Sequence, residues 1–104
     1  MINRVHLADL FGGDEAMVER FIGIFKMQTP QQISELKAAV DEENWPQVAI
    51  LAHTIKSQCA YLGLDSITNT AHLIEQQAEQ QNFTPIPKIF KQLEQDLSPI
   101  LKSL

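Results

Sequence analysis

Residues 44–63, NWPQVAILAHTIKSQCAYLG, carry the pattern that decides the fold. Val48, Leu51, Ile55, Cys59 and Leu62 recur every three or four positions, the spacing of one buried face of an α-helix. Asn44, just ahead of Trp45-Pro46, can cap the helix start, and Gly63 can supply the backbone angles that stop it. At about 100° per residue, His53 falls about 200° from both Leu51 and Ile55, so its ring points away from the apolar stripe. One turn away on the same outer face stand Ala49, Ile50, Lys56 and Ser57, with Ala60 a further turn along. Ala49, Ser57 and Ala60 are small, which leaves clearance for another molecule to approach the imidazole.

The same periodicity continues in both directions. A short helix is expected over Arg4 to Leu10, stopped by Phe11-Gly12-Gly13, after which Asp14 caps a helix with Val18, Phe21, Ile22 and Phe25 on its stripe. Thr29-Pro30 closes that segment, because a residue before proline is biased away from helical angles. Thr29 then caps a third segment, with Pro30 in its first turn, Gln32 at the capping-box position and Ile33, Leu36 and Val40 inward; a single kinked helix is the alternative. Beyond Gly63, Asp65 or Ser66 opens a helix that turns Ile67, Ala71, Ile74 and Ala78 inward. A polar connection, EQQNFT, leads to Thr84-Pro85 and a last helix bearing Ile86, Ile89, Phe90, Leu93, Leu97 and Leu101, with Pro99 as a candidate bend.

No sustained two-residue alternation argues for a strand, so the fold class is all-α. Connections of a few residues pack amphipathic helices as antiparallel neighbours. The expected architecture is an up-and-down four-helix bundle with a short extra N-terminal helix, one domain over residues 1–104.

Composition narrows the function. A chain of 104 residues with 44% hydrophobic content can build one modest core. A net charge of −5 argues against nucleic acid as a partner, since phosphate neutralisation needs clustered Lys and Arg in excess. Cys59 is the sole cysteine, which excludes an internal disulfide and a C-x-x-C site and fits a reducing compartment. No stretch reaches about 18 uninterrupted apolar residues, and the start lacks an apolar run behind basic residues. A cytoplasmic protein with no membrane partner is the expectation.

The set Ala52-His53-Thr54-Ile55-Lys56-Ser57 followed by Gly63 resembles the motif of the histidine-containing phosphotransfer (HPt) domain of multistep two-component phosphorelays. That motif is a small residue, the phosphorylatable histidine, two residues, a lysine, usually a glycine, and a later glycine. The resemblance extends to Glu75 in HLIEQQAE, where the family commonly has an acidic or amide residue, and to the segment FIGIFKMQTPQQISELKAAVDEENW. Ser57 departs from the usual glycine. The resemblance implies that His53 is the phosphoacceptor, taking the group from a receiver-domain aspartyl phosphate and passing it to another receiver aspartate. It implies Lys56 as the cation that stabilises the phosphoryl group and Glu75 as a supporting residue behind the histidine. Response-regulator receiver domains, including those of hybrid sensor kinases, are the implied partners of a monomeric carrier.

The residue chemistry agrees with that assignment. A free imidazole has a pKa of about 6.5, so near neutrality one ring nitrogen is unprotonated and nucleophilic. Phosphoryl transfer depends on alignment and on neutralising oxygen charge, commonly with magnesium. Nothing in the chain reads as a magnesium cage or a nucleotide-binding loop, so no cofactor is expected on this chain, Mg2+ is expected on the receiver, and no kinase activity is expected here. Met17, Ile24 and Glu79 are candidates for docking a receiver, although Met17 and Ile24 also read as core margin and Glu75 and Glu79 as a solvated face. His72 borders the region and reads as a surface spectator, while His6 has no supporting neighbours. Cys59 reads as a small core residue. Two other classes stay open: a helical adaptor that binds receivers without carrying phosphate, which Ser57 favours, and a metal-binding bundle using His53, His72 and Glu75.

Overall fold

Capping side chains and buried stripes set the element boundaries of the computed structural model, which describes residues 2–104. Five helices and no strand are present among those residues. Helix α1, Arg4–Leu10, starts where the Asn3 carboxamide oxygen accepts from the His6 N–H at 3.0 Å. Helix α2, Glu15–Asp41, is capped by Asp14, whose carboxylate accepts from the Met17 N–H at 3.2 Å. Helix α3, Trp45–Tyr61, is capped in the same way by Asn44, 3.4 Å from the Gln47 N–H. Each bond satisfies one of the donors that a helix start leaves without an intrahelical partner.

The break expected at Thr29-Pro30 does not occur, and α2 runs unbroken through Pro30. The proline lacks an N–H and so removes one intrahelical bond, to the Lys26 carbonyl. Both residues are exposed, which leaves that carbonyl within reach of water. Phe25 and Thr29 before the proline and Ile33 and Leu36 after it are all buried, so packing holds the two halves in register. Thr29 does not cap anything: it is fully buried, and its hydroxyl has no hydrogen-bond partner.

Helix α4, Asp65–Glu79, begins with Asp65 inside the helix and Leu64 at the cap position, without a side-chain cap from Asp65 or Ser66. Leu64 is buried, and its carbonyl accepts from both the backbone N–H and the hydroxyl of Thr68 at 2.8 Å. Burial of one leucine therefore fixes this start rather than a polar cap. Helix α5, Ile86–Ser103, has Pro85 at its cap position and continues through Pro99. Trp45 at the start of α3 stacks on Phe83 of the α4–α5 connection, with centroids 4.6 Å apart and planes 6° from parallel.

Helix α2 packs on α3 and α5, and α4 packs on the same two, so the four long helices close a ring around one core. Leu36, Ile55, Ile74 and Leu93, one from each, are fully buried. Burying each such side chain is worth about 1.5–3 kcal/mol before entropy is counted. Helix α1 lies against α2 and α3, where Asn3 donates its N–H to the Leu62 carbonyl at 2.8 Å. Gly63 has φ +70°, and a Cβ there would stand 2.6 Å from Asn3 Cβ. Glycine at this position both stops α3 and lets the start of α1 sit against the turn.

Candidate functional site

The helical register of α3 puts Leu51, Ala52 and Ile55 into the core and His53 outward, its side chain 58% exposed. No large side chain has to move for a reagent to reach the ring. Ala49 and Ser57 are half-buried beside it, and Ala60 is exposed. A hollow of about 290 Å³ borders the imidazole and is lined by Ala49, Ile50, Thr54, Glu75 and Glu79.

Helix α4 brings Glu75 up to α3. One carboxylate oxygen lies 2.7 Å from His53 Nδ1, and the other accepts from Lys56 Nζ at 2.7 Å. Sequence periodicity also allowed Glu75 to sit on a solvated face, and that reading is corrected here: the residue is buried, only 9% exposed. Burial pushes its carboxyl pKa up. Hydrogen bonds and charge from Lys56 and His53 act against burial and outweigh it, so the pKa lies below the ordinary carboxylate value.

An ionised carboxylate only accepts hydrogen bonds, so the proton of a neutral His53 ring belongs on Nδ1. The lone pair then sits on Nε2, the nitrogen farther from the backbone. This contact also pins the ring plane, as a hydrogen bond to one imidazole nitrogen generally fixes the role of the other.

Lys56 leans toward α4 and is only 22% exposed. His72, on the turn of α4 before Glu75, has Nδ1 3.5 Å from Lys56 Nζ and 3.5 Å from the Glu75 carboxylate. It is therefore part of the same polar cluster rather than a detached surface residue. The signal was present in the sequence, since His72 and Glu75 are three apart on one helix, but which face met Lys56 depended on how α3 and α4 pack. A metal site on His53, His72 and Glu75 has no geometric support, because both Glu75 oxygens are already engaged by His53 and Lys56. Among the described residues no group of three or more His, Cys, Asp or Glu side chains could hold a metal ion.

The other candidates are dispersed. Glu79 is exposed at the hollow beside His53. Met17 and Ile24 are exposed on α2, 49% and 44%, and line no part of that hollow. Between them in sequence Phe21 packs edge-on against Tyr61 of α3, two turns beyond His53, with centroids 5.8 Å apart. Cys59 is fully buried.

Comparison with known proteins places this geometry. A family model described as Hpt domain matches residues 20–102, and the chain belongs to that family. Hpt domains carry phosphoryl groups on histidine in phosphorelays, interact with response-regulator receiver domains and have no kinase activity of their own. Searches of curated proteins and of solved structures returned no match. No helix among the described residues is long and apolar enough to cross a membrane.

Proposed function

We propose that this protein is a phosphorelay intermediate whose phosphoacceptor is His53 Nε2. The observation that carries the reading is the 2.7 Å contact between His53 Nδ1 and the buried Glu75 carboxylate on an otherwise open ring. In the transfer, the Nε2 lone pair forms a bond to phosphorus as the aspartyl oxygen–phosphorus bond of a receiver breaks, and the bonding pair leaves with the carboxylate. The next receiver reverses the step: its carboxylate attacks phosphorus, and Nε2 recovers its lone pair. The Nδ1 proton stays in place throughout, facing Glu75.

Lys56 supplies positive charge one turn from the acceptor; only one of its three ammonium hydrogens is needed for Glu75, which leaves donors for phosphoryl oxygens. Ala49, Ser57 and Ala60 give the receiver room, and Glu79 with the exposed Met17 and Ile24 contributes to its docking. In this reading no cofactor resides on the chain, Mg2+ comes with the receiver, the carrier is a cytoplasmic monomer, and its four long helices run up and down as antiparallel neighbours. The short connections at 42–44, 62–64 and 80–85 support that arrangement. Contacts with receivers are small and short-lived, because a carrier that holds either partner tightly cannot shuttle.

The test is incubation with phosphorylated receiver domains, followed by mapping of acid-labile, base-stable phosphate. Label on His53 that disappears in His53→Gln is the expected result, with a stability loss of no more than about 1 kcal/mol, the scale of one hydrogen bond, because the glutamine amide can still donate to the buried Glu75 carboxylate. Label persisting in that variant overturns the assignment. Absence of label from several receivers that nonetheless bind favours the adaptor.

A further inference from the structure

Ser57 lies one turn beyond His53, on the flank of α3 opposite Lys56. At 100° per residue it is about 40° to one side of His53, whereas Lys56 is about 60° to the other. Lys56 and His53 both bond Glu75, so α4 occupies the Lys56 side. With Nδ1 drawn toward that side, the ring edge that carries Nε2 is turned away from α4, toward the half of the outer face that Ser57 shares with Ile50 and Thr54. Helical side chains lean toward the N-terminus, which carries the Ser57 hydroxyl back over the turn of His53. The hydroxyl is seen there, donating to the His53 carbonyl at 3.1 Å.

We propose that the Ser57 hydroxyl turns from the His53 carbonyl to a phosphoryl oxygen on Nε2 and lengthens the lifetime of the phosphohistidine. This rests on His53 being the phosphoacceptor. The carbonyl that Ser57 gives up is a neutral acceptor on its own helix, and the phosphoryl oxygen is a charged one, so the exchange is favourable. The Lys56 ammonium is already partly neutralised by Glu75, which leaves the bound group short of donors on the Ser57 side. In hydrolysis, water attacks phosphorus, the Nε2–phosphorus bond breaks with its electron pair returning to nitrogen, and inorganic phosphate leaves. Phosphohistidine is acid-labile and base-stable, so the group is lost faster when its oxygens are protonated. A donor to those oxygens favours the dianion and therefore slows loss of the group.

The experiment uses phosphoramidate, whose nitrogen–phosphorus bond breaks to release ammonia as the Nε2–phosphorus bond forms. The unaltered chain, Ser57→Ala, Ser57→Gly and Ser57→Thr are labelled, freed of reagent and followed by phosphorus NMR. Ser57→Ala and Ser57→Gly are expected to lose phosphate about fivefold faster, the scale of trading one charge-assisted hydrogen bond for none, with Ser57→Thr close to the unaltered protein. The protonation midpoint of the phosphoryl group, read from its chemical shift, should rise in the two variants without a hydroxyl, because the donor favours the dianion. A purely structural role would leave that midpoint in place. Equal lifetimes and midpoints in all four proteins, with His53 labelled, overturn the Ser57 proposal and leave the phosphoacceptor standing. No phosphohistidine at position 53 in the unaltered chain overturns both.

Discussion

Glu75 reaches from α4 to within 2.7 Å of His53 Nδ1 on α3 while being itself largely shielded from water. In the proposed reading this is the ring nitrogen that does not take the phosphoryl group. Glu75→Ala should leave the imidazole free to exchange its proton between the two nitrogens and to rotate, slowing phosphorylation by about tenfold, on the scale of losing an orienting partner behind a functional histidine. Glu75→Gln retains an acceptor and should lose less. Single-turnover labelling by a phosphorylated receiver measures both, and equal rates in all three proteins would show that the contact does not orient the ring.

Lys56 loses its partner in Glu75→Ala and the partner's charge in Glu75→Gln. Replacing Lys56 itself by alanine should slow transfer without abolishing it, since the nucleophile is unchanged while one charge near the phosphoryl oxygens is removed. A rate equal to that of the unaltered protein in the same single-turnover measurement would remove its role.

The pH dependence of stability follows from the direction of the Glu75 shift. Its carboxyl pKa is lower in the folded chain than the usual value of about 4.3 expected in the unfolded one. The stability it contributes is present above the unfolded value and is lost as pH falls through the folded value. Urea unfolding from pH 6 downward should show the advantage of the unaltered chain over Glu75→Gln shrinking below about pH 4.5. A constant difference across that range would place the effect elsewhere.

Gly63→Ala combines a left-handed backbone angle with a clash, its Cβ falling 2.6 Å from Asn3 Cβ. Destabilisation of about 2 kcal/mol is expected, with loss of the seat for α1. Because Phe11 at the end of α1 packs on Phe21, which packs on Tyr61, undocking should also alter the tyrosine fluorescence or near-ultraviolet dichroism. An unchanged spectrum and midpoint would mean that α1 is held by other contacts.

Cys59 is fully buried, and burial pushes its thiol pKa up to about 12. A thiol-specific reagent at pH 8 should leave it unmodified in the native chain and react fully after denaturation. Ready reaction in the native state would show that the middle of α3 opens to solvent.

The sequence by itself determined the all-helical class, the inward stripe of α3 and the outward direction of His53, because all of these follow from the angle between successive residues on one helix. It also set the caps at Asn44 and Asp14, which depend on residues three positions apart. Where the local signal was proline or a polar cap candidate, tertiary packing decided instead: α2 passes through Pro30 because buried residues on both sides hold it, and Leu64, not Asp65 or Ser66, starts α4. The placement of Glu75 was likewise beyond the pattern along one chain segment. Its own helix allowed a buried carboxylate or a solvated one, and only the packing of α4 on α3 put it between His53 and Lys56, where their hydrogen bonds and charge offset the cost of taking it out of water.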